Sequence, residues 1–143
     1  MNEKNILSII NIEKNKKIST SLFLDSVSAG FPSPATDYLE HKLDLNEYLV
    51  KHPVATFIVK ASGPSMTEAG ILSGDLLIVD RSLTPNNENI VIASVFGDLT
   101  VKKLRKKGSA LFLVSANNEY SSIEVKEEME CFIWGVVTYV IHK

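Results

Sequence analysis

One cysteine, Cys131, stands in 143 residues, so no disulfide can close within the chain. A lone thiol suits a reducing compartment. It lies in the apolar run Cys131-Phe132-Ile133-Trp134, where it reads as a small core residue rather than a nucleophile. Positive charge is not in excess either. Fifteen Lys and Arg face seventeen Asp and Glu, a formal net charge of −2, which argues against a surface built to bind nucleic acid directly. The longest apolar stretch, Phe132 to Ile141, falls well short of the ~20 residues that cross a bilayer. Met1-Asn2-Glu3-Lys4-Asn5 is not followed by an apolar region with a cleavage signature, so a cytoplasmic location is expected. The three histidines, His41, His52 and His142, stand in no triad context and each reads as a surface residue. Cys/His metal spacing, a glycine-rich phosphate loop and the Ser-x-x-Lys signature are all missing, and no metal or cofactor is expected.

What is there is an ordinary globular composition, 45% hydrophobic and 22% charged, long enough for one cored domain. Residues 1–29 mix short apolar pieces with Lys14, Lys16 and Lys17 and keep no sustained period, so they read as an extended arm. Pro32 and Pro34, two apart, impose an extended linker after it. Asp44-Leu45-Asn46-Glu47 has the spacing of a helix N-cap with an acid three residues on, and Pro53 closes that short helix. Beyond it the pattern turns to strands. Val54–Lys60, Asp75–Asp80, Asn89–Phe96, Leu99–Leu104, Ala110–Val114 and Phe132–His142 are rich in Val, Ile, Phe and Thr. Gly97-Asp98 between two of them is a hairpin signal.

A search for catalysis therefore comes down to serine and lysine. Ser65 follows Gly63-Pro64 at the end of a strand, where a hydroxyl and its own backbone N–H stand at the mouth of a turn. An N–H so placed can serve as an oxyanion donor. The same pattern also suits a serine that merely caps the turn. A lysine acts as a base only if its pKa falls from about 10.4 to about 7–8, which burial can achieve by disfavouring the ammonium form. Strand alternation puts Thr100, Lys102 and Leu104 on one face and Val101, Lys103 and Arg105 on the other, and periodicity does not choose between the two lysines.

Ser62-Gly63-Pro64-Ser65-Met66 resembles the nucleophile motif of the LexA/UmuD family of self-cleaving peptidases. Gly74-Asp75-Leu76-Leu77-Ile78-Val79-Asp80 resembles the Gly-Asp-hydrophobic strand that follows it. Thr100-Val101-Lys102-Lys103-Leu104 resembles the family strand whose first lysine is the base, and so selects Lys102. Ala29-Gly30 resembles the bond these proteins cut in themselves, and the run from Gly30 to Ala35 followed by Asp37-Tyr38 is similar to the UmuD type in particular.

The resemblance implies a mainly β, LexA-like peptidase domain of twisted antiparallel sheets over 30–143, with one short helix, preceded by an arm over 1–29. It implies a catalytic Ser65 nucleophile, a Lys102 general base, cleavage between Ala29 and Gly30, and an oxyanion contact from the Ser65 backbone. It further implies an SOS-response homodimer, stimulated by RecA filaments on single-stranded DNA. After cleavage that dimer would serve a Y-family, UmuC-like translesion polymerase, with no membrane partner and little direct DNA binding. The alternative is a fragment of a LexA-type transcriptional regulator, or a phage regulator, acting through dimerisation. Twenty-nine arm residues are too few for the helix-turn-helix domain such a repressor carries. One departure stands out. Pro64 has no N–H, so a second backbone oxyanion donor, present in relatives at that position, is missing.

Overall fold

The structure, a computed structural model, describes residues 6–11, 19–23, 29–30 and 40–143. Its elements are β1 (Ile6–Asn11), β2 (Ser19–Phe23), β3 (Glu40–Asp44), α1 (Leu45–Leu49), β4 (Thr56–Ala61), β5 (Leu76–Asp80) and β6 (Ile90–Val95). They continue with β7 (Asp98–Lys107), β8 (Ala110–Val114), β9 (Ile123–Glu124) and β10 (Phe132–Ile141). Eight strands form one antiparallel sheet in the order β1-β4-β5-β10-β6-β7-β8-β9, while β2 and β3 pair separately. The chain divides into two compact units, one made of 1–12 with 52–143 and the other of 13–51. The expected class, mainly β with one short helix, is what the described residues form.

In the larger unit the strands bury both faces. Cross-strand partners Ile92 and Val101 enter a cluster with Val59, Ala61, Met66, Ile71, Leu77 and Val79. Their neighbours Val91, Ala93 and Leu104 enter a second cluster with Leu113 and Val136. Covering both faces explains why β5 and β6 read as continuous apolar runs rather than alternating ones. In the smaller unit, Asp44 caps α1 by accepting from the N–H groups of Asn46 (3.0 Å) and Glu47 (3.3 Å).

Three features go beyond the sequence reading. The stretch read as an arm contributes β1, which pairs along β4, and β2, which pairs with β3. Isoleucine-rich segments of five or six residues suit extended backbone, but they are too short to show a period across a 29-residue window. The β6–β7 hairpin turns at Phe96-Gly97, both left-handed (φ 50° and 82°), and Asp98 already pairs with Val95. A two-residue turn with positive φ at both centres matches the twist of the strands it joins. The third feature is β9, a two-residue strand against β8 that is too short to leave a periodic trace.

β10 passes Gly135 directly over β5. A Cβ there would lie 2.6 Å from Val79 Cγ1 and 3.4 Å from the Asp80 carbonyl oxygen. Val79 is fully buried and stiff at χ1, so it has no room to yield. Gly135→Ala should therefore cost about 1–3 kcal/mol by overpacking. Urea unfolding checks this, and an unchanged midpoint with an unchanged slope would contradict it.

Candidate active site

The Ser65 segment is fastened from three sides. Behind it, Ala61 exchanges backbone hydrogen bonds with the Gly74-Asp75 turn: its N–H donates to the Asp75 carbonyl and its carbonyl accepts from the Gly74 N–H, both at 2.8 Å. Gly63 takes a left-handed conformation (φ 86°), which turns the chain, and its N–H donates to Ser73 Oγ at 3.3 Å. Ahead, the short 3-10 turn Thr67–Ala69 ends at Gly70, which is left-handed (φ 80°). Met66 is the anchor, 2% exposed within the first core cluster, and it drags Ser65 to the same 2% exposure.

Lys102 lies in the middle of β7, opposite Val91 of β6, and is 7% exposed. Its Nζ donates to Ser115 Oγ at 2.9 Å and stands 5.8 Å from the centre of the Tyr120 ring. Lys103, one residue on, has a side chain 30% exposed and reaches Glu88 at 3.9 Å. The two faces that periodicity left equivalent are thus unlike in burial.

The turn and the lysine meet on one segment, Ser115-Ala116-Asn117, just past β8. Ser115 takes the Lys102 amine. The Ala116 N–H donates to Met66 Sδ at 3.4 Å, and its carbonyl accepts from the Glu68 N–H at 2.7 Å. Asn117 Nδ2 donates to the Pro64 carbonyl at 2.8 Å. Nothing in the sequence singled out the segment 115–117. Some 50 residues separate it from the serine it holds, and no local pattern signals that contact. Ala29 and Gly30 belong to the smaller unit, and both are exposed.

Two aspartates buried to 3% exposure, Asp80 and Asp75, are each paired with a half-exposed histidine. His52 Nδ1 lies 2.5 Å from Asp80 Oδ2, and His142 Nδ1 lies 2.6 Å from Asp75 Oδ1. The side chain of His41 falls outside the described residues. Neither pair forms a nucleophilic triad. Ser82 sits beside the first, but its hydroxyl donates to Asp80 at 2.6 Å, the carboxylate rather than the imidazole. Cys131 is half-buried against the second core cluster, and burial pushes its thiol pKa up, away from the thiolate a nucleophile needs. Among the described residues, no group of three or more His, Cys, Asp or Glu side chains could hold a metal, and no helix is long and apolar enough to cross a membrane.

Burial alone would raise both aspartates, but hydrogen bonds outweigh it and leave each carboxyl below its ordinary value of 3.8. Asp75 is held by the Leu72 N–H and His142, and Asp80 by Ser82 and His52. A carboxyl depressed by folding stabilises the protein fully above its ordinary pKa, and that contribution disappears as pH falls through the lower folded value. Thermal midpoints should therefore drop steeply below about pH 4, and the acid limb should flatten in Asp75→Asn and Asp80→Asn. Equally steep limbs in wild type and variants would remove these pairs from acid stability.

The S24-like peptidase family matches residues 21–138. The chain is 50% identical to protein ImpA of Salmonella typhimurium over 123 residues, which is 85% of this chain and 83% of that one. Against protein SamA of Salmonella typhimurium strain LT2 the identity is 45% over 139 residues, 96% of each chain. The LexA repressor of Shewanella piezotolerans is 40% identical over 102 residues, 71% of this chain and 49% of the repressor. The serine turn, the buried lysine strand and these relatives together make the chain a member of the S24-like peptidase family, of the UmuD type within the LexA/UmuD group.

Proposed function

We propose that this chain is a self-cleaving serine peptidase in which Ser65 is the nucleophile and Lys102 the general base, and that it cuts its own Ala29-Gly30 bond. The observation that carries this reading is the shared seat of the two residues. Both are buried, and the segment 115–117 holds the lysine amine at one end and the serine turn at the other. Burial disfavours the ammonium form, which is the condition for a lysine to accept a proton near neutral pH.

The chemistry runs in balanced steps. Neutral Lys102 takes the proton of the Ser65 hydroxyl as Oγ attacks the Ala29 carbonyl carbon, and the Ser65 N–H donates to the oxyanion. The tetrahedral species collapses, Lys102 returns the proton to the leaving amine of Gly30, and the resulting ester is hydrolysed by water. Ser115 accepts from the lysine and keeps its amine in place. Tethering the substrate to the enzyme replaces a bimolecular encounter with an intramolecular one.

Within this reading the protein acts in the cytoplasm as a homodimer in the SOS response. RecA filaments on single-stranded DNA stimulate the cut, and the shortened dimer assists a Y-family translesion polymerase. The similarity to proteins ImpA and SamA over most of their lengths supports this UmuD-like role over a repressor, because the LexA repressor is matched over only 49% of its length.

The test is self-cleavage of the full chain at about pH 10, where even a partly shifted lysine is neutral. Intact masses should show one fragment ending at Ala29 and one starting at Gly30, and Ser65→Ala and Lys102→Ala should each abolish them. Cleavage that survives both substitutions, or a cut elsewhere, would overturn the assignment.

A further inference from the structure

Pro64 removes one backbone donor next to the nucleophile, and its carbonyl is held more heavily than a turn requires. Three donors converge on that oxygen: the Thr67 N–H at 3.2 Å, Thr67 Oγ1 at 2.5 Å and Asn117 Nδ2 at 2.8 Å. The turn itself needs only the first. Asn117 is in turn fixed by its own oxygen, which accepts from the Glu119 N–H at 3.0 Å. That contact settles which end of the amide faces Pro64, since only the NH₂ end can donate.

The Pro64–Ser65 peptide is trans, so its carbonyl and the Ser65 N–H point in opposite directions within one rigid plane. Holding the oxygen from one side therefore sets the direction of the N–H on the other. Hydrogen bonds to a carbonyl also polarise its peptide and strengthen the N–H as a donor. We infer that Asn117 and Thr67 are positioning residues that aim and polarise the Ser65 amide toward the oxyanion, offsetting the donor that Pro64 lacks. The inference rests on the Ser65–Lys102 reading and adds to it a determinant outside the motifs of the dyad.

The experiment measures self-cleavage rates of the full chain from pH 8 to 10.5, alongside thermal midpoints. Asn117→Asp keeps the shape and the contact to Glu119 but sets a carboxylate against the Pro64 oxygen. Thr67→Val removes the hydroxyl donor and keeps the backbone one. Each should slow cleavage about tenfold or more at every pH, in line with the loss of part of an oxyanion donor. The pH midpoint should stay where the wild type has it, because the lysine is untouched, and Thr67→Ser should recover the rate. Wild-type rates in both Asn117→Asp and Thr67→Val would overturn the inference and leave the dyad standing. So would a shifted pH midpoint, which would place the effect on Lys102, or a rate loss that merely tracks unfolding. A wild-type chain that is never cut would overturn the dyad and the inference together.

Discussion

An amine carried into the middle of a buried strand is the constraint on which the site depends. β7 has a strand on either side and a hydrophobic cluster on either face, so Val101, Lys102 and Leu104 at its centre are buried. At Lys102 that environment leaves the residue 7% exposed, with its Nζ donating to Ser115 Oγ at 2.9 Å. A stability-minded sequence would place valine or isoleucine there, as β6 does opposite at Val91. Conflict between a local rule and the global fold is what functional or strained sites share.

How the rest is arranged follows from that seat. The segment after β8 is tied to the lysine by Ser115, to the core by the contact of Ala116 with Met66, and to the Ser65 turn by Asn117. A second fastening reaches the turn from behind through Ala61, Gly74 and Asp75, and Asp75 is itself paired with His142 at the far end of β10. The serine thus sits between two stretches of chain distant in sequence and rigid in the fold. Precise placement of reacting groups is worth more in such a site than additional groups.

Much of this was legible in the residues, and what was not has a common cause. Ala110–Val114 coincides with β8, and Asp75–Asp80, Asn89–Phe96 and Phe132–His142 overrun β5, β6 and β10 by a residue or two, because apolar β-rich runs end in clear turn residues. Leu99–Leu104 fell short of β7, whose last residues, Arg105 to Lys107, are charged and look like a loop. Ser65 and Lys102 emerged from ordered motifs, while periodicity alone left Lys102 and Lys103 equivalent. The two His–Asp pairs and Asn117 stayed hidden. They join residues 28, 67 and 53 positions apart, and only the folded register brings them within reach.

In the proposed reaction, β1 would add a second half that bond-breaking alone does not supply. It is laid along β4 at the edge of the main sheet, yet it lies upstream of Ala29. The proposed cut between Ala29 and Gly30 would sever the covalent tether but none of the β1–β4 ladder, so the released piece would start as a bound peptide with an off-rate of its own. Before the cut, the effective concentration of that strand is fixed by the chain; afterwards it falls with dilution. Departure of the peptide, rather than hydrolysis, would then be the event that exposes the unpaired backbone of β4 to the surroundings.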